Sequence, residues 1–167
     1  LWGAMAAQQG LALPEDRNQP IYIQSDRAER DERKGTTVYT GDVEIDQGSL
    51  HISADRVTIA MDGDQVNRID AVGAPAKMHQ KPSPEREPVY AQAITIQYDV
   101  VREILTLIEQ AAVTQEGSTV KGEHIEYFVE EQRVKATGAS RVQMVIQPRH
   151  ASPAPPWKSS SRSSSGS

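Results

Sequence analysis

The sequence predicts an all-β protein, and three observations predict it. Between residues 20 and 147 apolar side chains recur at every second position, the period of a strand with one buried face. Valine and isoleucine together supply 26 residues against 6 leucines and 1 phenylalanine, so the apolar content is β-branched, as strands prefer and helix bundles do not. Turn signals punctuate the alternation at Arg33-Lys34-Gly35, Gln47-Gly48-Ser49, Asp62-Gly63-Asp64, Lys81-Pro82-Ser83-Pro84 and Glu116-Gly117-Ser118. Their spacing links strands into hairpins.

Taken in order, residues 20–25 form the first strand through Ile21-x-Ile23. Residues 25–34 are dense in charge and hold one apolar side chain, Ala28, so no helical stripe exists to bury. Alternation then runs through Val43-x-Ile45, Leu50-x-Ile52, Val57-x-Ile59-x-Met61 and Ile94-x-Ile96-x-Tyr98. It resumes in Leu105-x-Leu107, Ile125-x-Tyr127-x-Val129 and Val142-x-Met144-x-Ile146. Residues 100–110 are read as strand because β-branched residues cluster there and Leu105-x-Leu107 alternates. The sum is an antiparallel meander of about a dozen or more short strands.

A repeat underlies the alternation. Ala54-Asp55-Arg56-Val57-Thr58-Ile59 recurs as Ala91-Gln92-Ala93-Ile94-Thr95-Ile96 and as Gly122-Glu123-His124-Ile125-Glu126-Tyr127, with Ser25-Asp26-Arg27-Ala28 a weaker copy. Glycine-marked strands follow three of them, at Gly41, Gly73 and Gly138. The spacing marks stacked β units, with small residues where backbones approach closely. The irregular periods argue against a strict solenoid.

At 167 residues the chain suits one domain. Residues 18–147 are expected to form it. Residues 1–17 read either as the remnant of an apolar signal segment, ending at Ala4-Met5-Ala6, or as a vector-derived tag. Residues 148–167, rich in proline and serine, are expected to be a disordered tail. A net charge of −5 and 5% aromatics leave neither a basic face nor stacking platforms for nucleic acid. No cysteine is present, which excludes disulfides and thiolate chemistry. No apolar run approaches the roughly 20 residues of a spanning helix.

The stretch Gln19-Pro20-Ile21-Tyr22-Ile23-Gln24-Ser25-Asp26, followed by Tyr39-Thr40-Gly41-Asp42-Val43, Gln47-Gly48-Ser49 and Ala54-Asp55-Arg56-Val57, resembles the OstA-like family. Gly73-Ala74-Pro75-Ala76, Ile96-Gln97-Tyr98, Gly122-Glu123-His124 and Val134-Lys135-Ala136 continue the resemblance in order. No single motif is specific; their order and spacing are. The resemblance implies a twisted, open β-jellyroll of two antiparallel sheets forming a V-shaped apolar groove. It implies a periplasmic bridge protein that carries lipopolysaccharide from the inner to the outer membrane, its acyl chains shielded in that groove. Implied partners are lipopolysaccharide and inner-membrane and outer-membrane transport components of the same fold.

On this resemblance and on strand parity, the expected lipid-binding residues are Ile21, Ile23, Met78, Ile94, Ile96, Tyr98 and Val100. Met78 stands where the family places an aromatic. The residues alone favour a packed sandwich core over a lipid slot; the resemblance reverses that preference. Head-to-tail self-association is expected through Ile21, Tyr22 and Ile23 at one edge and Val142, Met144 and Ile146 at the other, since terminal strands of an open sheet leave backbone groups unpaired.

No catalytic, cofactor or metal site is expected. His51, His79, His124 and His150 show no metal-ligand spacing, and Asp62-Gly63-Asp64 does not follow the calcium-loop pattern. Glu130-Glu131 falls at a solvated turn. No nucleophile elbow or phosphate loop occurs. The competing readings are a structural β-filament or adhesin-like protein and a carbohydrate-active jelly roll. The first needs only adhesive ends; the second needs acids clustered on a concave face.

Overall fold

The structure is a computed structural model that describes residues 18–129, 131–138 and 141–148. The expectations for residues 1–17 and for the tail beyond Pro148 lie outside the described residues. Ten strands form one hydrogen-bonded antiparallel sheet: β1 (Tyr22–Gln24), β2 (Arg27–Asp31), β3 (Thr36–Gln47), β4 (Leu50–Asp62), β5 (Gln65–Gln80), β6 (Val89–Asp99), β7 (Ile104–Gln115), β8 (Ser118–Phe128), β9 (Arg133–Thr137) and β10 (Gln143–Val145). Among the described residues there is no α-helix.

The expectation of a dozen or more short strands is corrected to ten among the described residues, six of them long. Leu50-x-Ile52 and Val57-x-Ile59 belong to one strand, β4, whose alternation changes parity between Ser53 and Arg56. A bulge shifts the register and kinks a strand without ending it, so each kink reads in the sequence as a strand boundary.

The kinks line up. Register shifts fall between Thr40 and Val43, Ser53 and Arg56, Val72 and Ala76, Gln92 and Thr95, and Ile108 and Ala111. Odd strands carry the extra residues, with left-handed backbone at Gly41 (φ 86°), Asp42, Glu109 and Gln110. Even strands cross the same line at Ala54-Asp55, Ala93-Ile94 and Gly122-Glu123, the first and last at the small residue that opens a repeat copy and the middle one two residues into its copy. The repeat therefore marks a crease across the long strands.

The crease divides the sheet into two eight-stranded halves. One runs β2-β3-β4-β5-β6-β7-β8-β9 and the other β1-β3-β4-β5-β6-β7-β8-β10. In the first, an inward row of partners passes through Tyr39, Val57, Ala71, Ile96, Leu107 and Ile125. In the second, the matching row passes through Ile45, Ile52, Met78, Ala91 and Val113. Members of both rows belong to one buried cluster, so the inner faces of the two halves pack on each other as the two sheets of a jellyroll.

Candidate ligand cleft

The inner faces do not close everywhere. A cleft of about 490 Å³ opens between them on the β1 side. Leu50 and Ile52 of β4, Val66 and Ile69 of β5, and Ile96 and Tyr98 of β6 line its walls. Ile96 is 3% exposed and Ile52 4%, so the floor is part of the core, whereas Val66, Ile69 and Tyr98 are half-buried. Gln47 Nε2 donates to the Gln19 carbonyl at 3.2 Å. That bond holds the stretch before β1 at the mouth, where Ile21 joins the lining while 49% exposed.

Among the described residues, the polar lining consists of Gln47, Gln65, Gln80 and Glu103, with no lysine or arginine. An apolar slot with no cation suits hydrocarbon, for which burial of each CH₂ is worth about 0.8 kcal/mol. It does not suit a phosphate.

Of the residues expected to bind lipid, Ile21, Met78, Ile96, Tyr98 and Val100 line this cleft. Ile23 is half-buried, pairs with Ile45 and packs against the core cluster. Ile94 is half-buried at the crease, outside the cleft lining. Val100 lies in the β6–β7 turn, where its N–H donates to the Asn67 carbonyl at 2.9 Å. Sequence reasoning missed Val66 and Ile69, because β5 changes register twice, between Arg68 and Val66 and between Val72 and Ala76. The resulting pattern resembles neither strand nor helix.

Of the expected edge residues, Tyr22, Ile23 and Met144 lie on edge strands, and Ile21 directly precedes β1. Among the described residues, β1 pairs only with β3 and β10 only with β8. Tyr22 (64%), Val142 (43%), Met144 (61%) and Ile146 (69%) are exposed. Val142 and Ile146 flank β10 rather than belonging to it.

The outer face carries His51, His79 and His124, and His150 lies outside the described residues. Two carboxylates flank His51, with Asp46 Oδ1 2.6 Å from Nδ1 and Glu44 Oε2 2.9 Å from Nε2. Its ring stacks on His79, with centroids 5.2 Å apart. Burial, and then the neighbouring His51, lower the pKa of His79. His124 pairs with Glu126 at 3.8 Å. Glu131 lies in a turn and pairs with Arg133, and Glu130 lies outside the described residues.

With this geometry in place, comparison with known proteins is decisive. The sequence profile of the family described as LptA/(LptD N-terminal domain) LPS transport protein matches residues 22–133. The chain belongs to this family. The lipopolysaccharide export system protein LptH of Pseudomonas aeruginosa is 42% identical over 160 residues, 89% of this chain and 91% of that protein. The export protein LptA of Escherichia coli is 32% identical over 142 residues, 83% of this chain and 76% of that one. The crystal structure of LptH, the LptA-homologous periplasmic component of the lipopolysaccharide transport device from Pseudomonas aeruginosa, superposes with a TM-score of 0.73 at 42% identity. That match covers 81% of this chain and 100% of the other. Lipopolysaccharide transport is the function that membership in the LptA/LptD N-terminal family carries, and the two-sheet jellyroll is the fold shared with LptH.

Proposed function

We propose that this chain is a non-enzymatic periplasmic carrier that takes lipopolysaccharide by its acyl chains into the cleft between the two sheet halves. It stands between inner-membrane and outer-membrane transport components of the same fold. The observation that carries this reading is the lining: among the described residues it has apolar walls, three glutamines and one charged residue, Glu103. Such a slot accepts hydrocarbon and leaves sugars and phosphates at the mouth, in water. Ile21, Met78, Ile96, Tyr98 and Val100 form the contact surface, with Ile23 and Ile94 supporting it from the core and the crease. Competition against a fluorescent lipopolysaccharide tests the assignment. Lipid A should displace the probe, and fully deacylated lipopolysaccharide should not. Displacement by the deacylated sugar would place binding elsewhere.

We further infer that copies join head to tail. β10 of one molecule would add to β1 of the next, as an extended strand adds to a free sheet edge. In strand-by-strand register, Met144 and Ile23 occupy the same inward row, and Val145 and Tyr22 the same outward row. Continuing the rows brings apolar side chains opposite one another and prolongs the groove. Such a contact does not close, so assembly grows with concentration. Deleting residues 140–167 should give a monomer in a light-scattering dilution series, whereas deleting only 149–167 should leave oligomers. Full-length protein that stays monomeric at high concentration would contradict head-to-tail joining.

A further inference from the structure

Among the described residues, the other half of the sheet has its own edges, β2 and β9, each bonded to one neighbour only. Charged side chains on an edge ordinarily keep other strands away. Here the two edges carry opposite signs in the same rows. One outward row runs from Glu29 through Val38, Thr58, Asp70, Gln97, Thr106 and Glu126 to Lys135. The adjacent outward row begins at Asp31 and ends at Arg133 by the same pairings. The inward row between them begins at Arg30 and ends at Val134, and the next begins at Ala28 and ends at Ala136.

Strand direction permits the match as well. With every pairing antiparallel, β2 runs with β4, β6 and β8, and β9 runs with β3, β5 and β7. A β9 laid beside the β2 of a following molecule therefore continues the alternation. Glu29 and Lys135 are both exposed, and among the described residues neither has an ion-pair partner. Asp31 is partly engaged, since its Oδ1 accepts the backbone N–H groups of Arg33 (2.9 Å) and Lys34 (3.1 Å). Arg133 pairs with Glu131 at 3.0 Å and lies 4.3 Å over the Phe128 ring. The Glu29 and Lys135 side chains are the pair free to meet.

We propose that β9 of one copy docks antiparallel on β2 of the next copy, with Lys135 opposite Glu29 and Arg133 opposite Asp31, so that both halves of the sheet continue across the junction. The proposal rests on the head-to-tail reading of β1 and β10 and adds a second, charge-matched seam to it. That seam favours one register, because sliding by two residues keeps only one of the two opposite-charge pairs, and in one direction sets Lys135 opposite Arg27. It also fixes polarity, because two β9 edges brought together antiparallel about Lys135 would oppose like charges.

The test is reciprocal charge reversal. Lys135→Glu and Glu29→Lys are compared with the unaltered protein by sedimentation velocity over a dilution series, at about 0.05 M and 0.5 M salt, where screening differs strongly. Each variant alone should need about three- to tenfold higher concentration to assemble at low salt. An equimolar mixture should return to the unaltered behaviour, since each reversed edge then meets its complement. High salt should erase the differences. Circular dichroism confirms folding, which neither exposed side chain supports. Variants that assemble like the unaltered protein, while deletion of residues 140–167 still gives a monomer, would overturn the β2–β9 seam and leave the β1–β10 contact standing. An unaltered protein that is monomeric at every concentration would overturn both.

Discussion

Ile21 and Ile96 both reach the cleft, yet their burial assigns them different work. Ile96 is 3% exposed and belongs to the core cluster, while Ile21 is 49% exposed at the mouth. Ile96→Ala should cost about 2–5 kcal/mol of stability, so a loss of lipid binding there would report on folding as much as on contact. Ile21→Asp should change stability by no more than about 0.5 kcal/mol and still weaken lipid A binding, because it sets a carboxylate at the entrance to hydrocarbon. Thermal denaturation and a lipid A titration on both variants separate the two roles. Strand parity and family resemblance together made Ile21, Ile96 and Tyr98 legible in the sequence. Val66 and Ile69 were not, since two register shifts in β5 scramble their period. His79 supports a pH prediction. Its folded pKa lies below the ordinary 6.5, so near that value the unfolded chain binds more protons. This contribution is present above the unfolded pKa and is lost as pH falls toward the folded pKa. His79→Gln should therefore lessen acid destabilisation just below pH 6.5, measured as melting temperature against pH.

At the scale of elements, the crease is what the strands have in common. Its small residues were visible in the sequence as a repeat, but their meaning was not. A kink and a strand end both interrupt alternation, and only pairing distinguishes them. Gly73 is the tightest point on β5. A Cβ there would lie 2.7 Å from the Ala76 backbone nitrogen and 3.0 Å from the Ala76 Cα and the Pro75 carbonyl carbon. These are backbone atoms that cannot swing aside. Gly73→Ala should cost about 1–3 kcal/mol through this overlap, seen as a lower denaturant midpoint with an unchanged slope. Gly41 is constrained differently, by its positive φ and by the Asp26 side chain in the space a Cβ would take. Asp26 N–H also donates to the Gly41 carbonyl at 3.0 Å, which ties the corner between β1 and β2 to the kink of β3.

For the whole molecule, function follows from one sheet folded along a line. Folding buries the inner rows of both halves, and the space left on the β1 side is the cleft. Transport along such a groove requires acyl chains to lie between the halves and not on the outer surface. Site-specific photo-crosslinking measures that directly. A photoreactive side chain in place of half-buried Val66 faces the cleft. The same group in place of Val72, 41% exposed and in the outward row with Arg56 and Thr95, faces solvent. With lipopolysaccharide present, we expect an adduct from position 66 and none from position 72. Equal labelling at both positions, or labelling at 72 alone, would contradict a lipid held between the sheet halves.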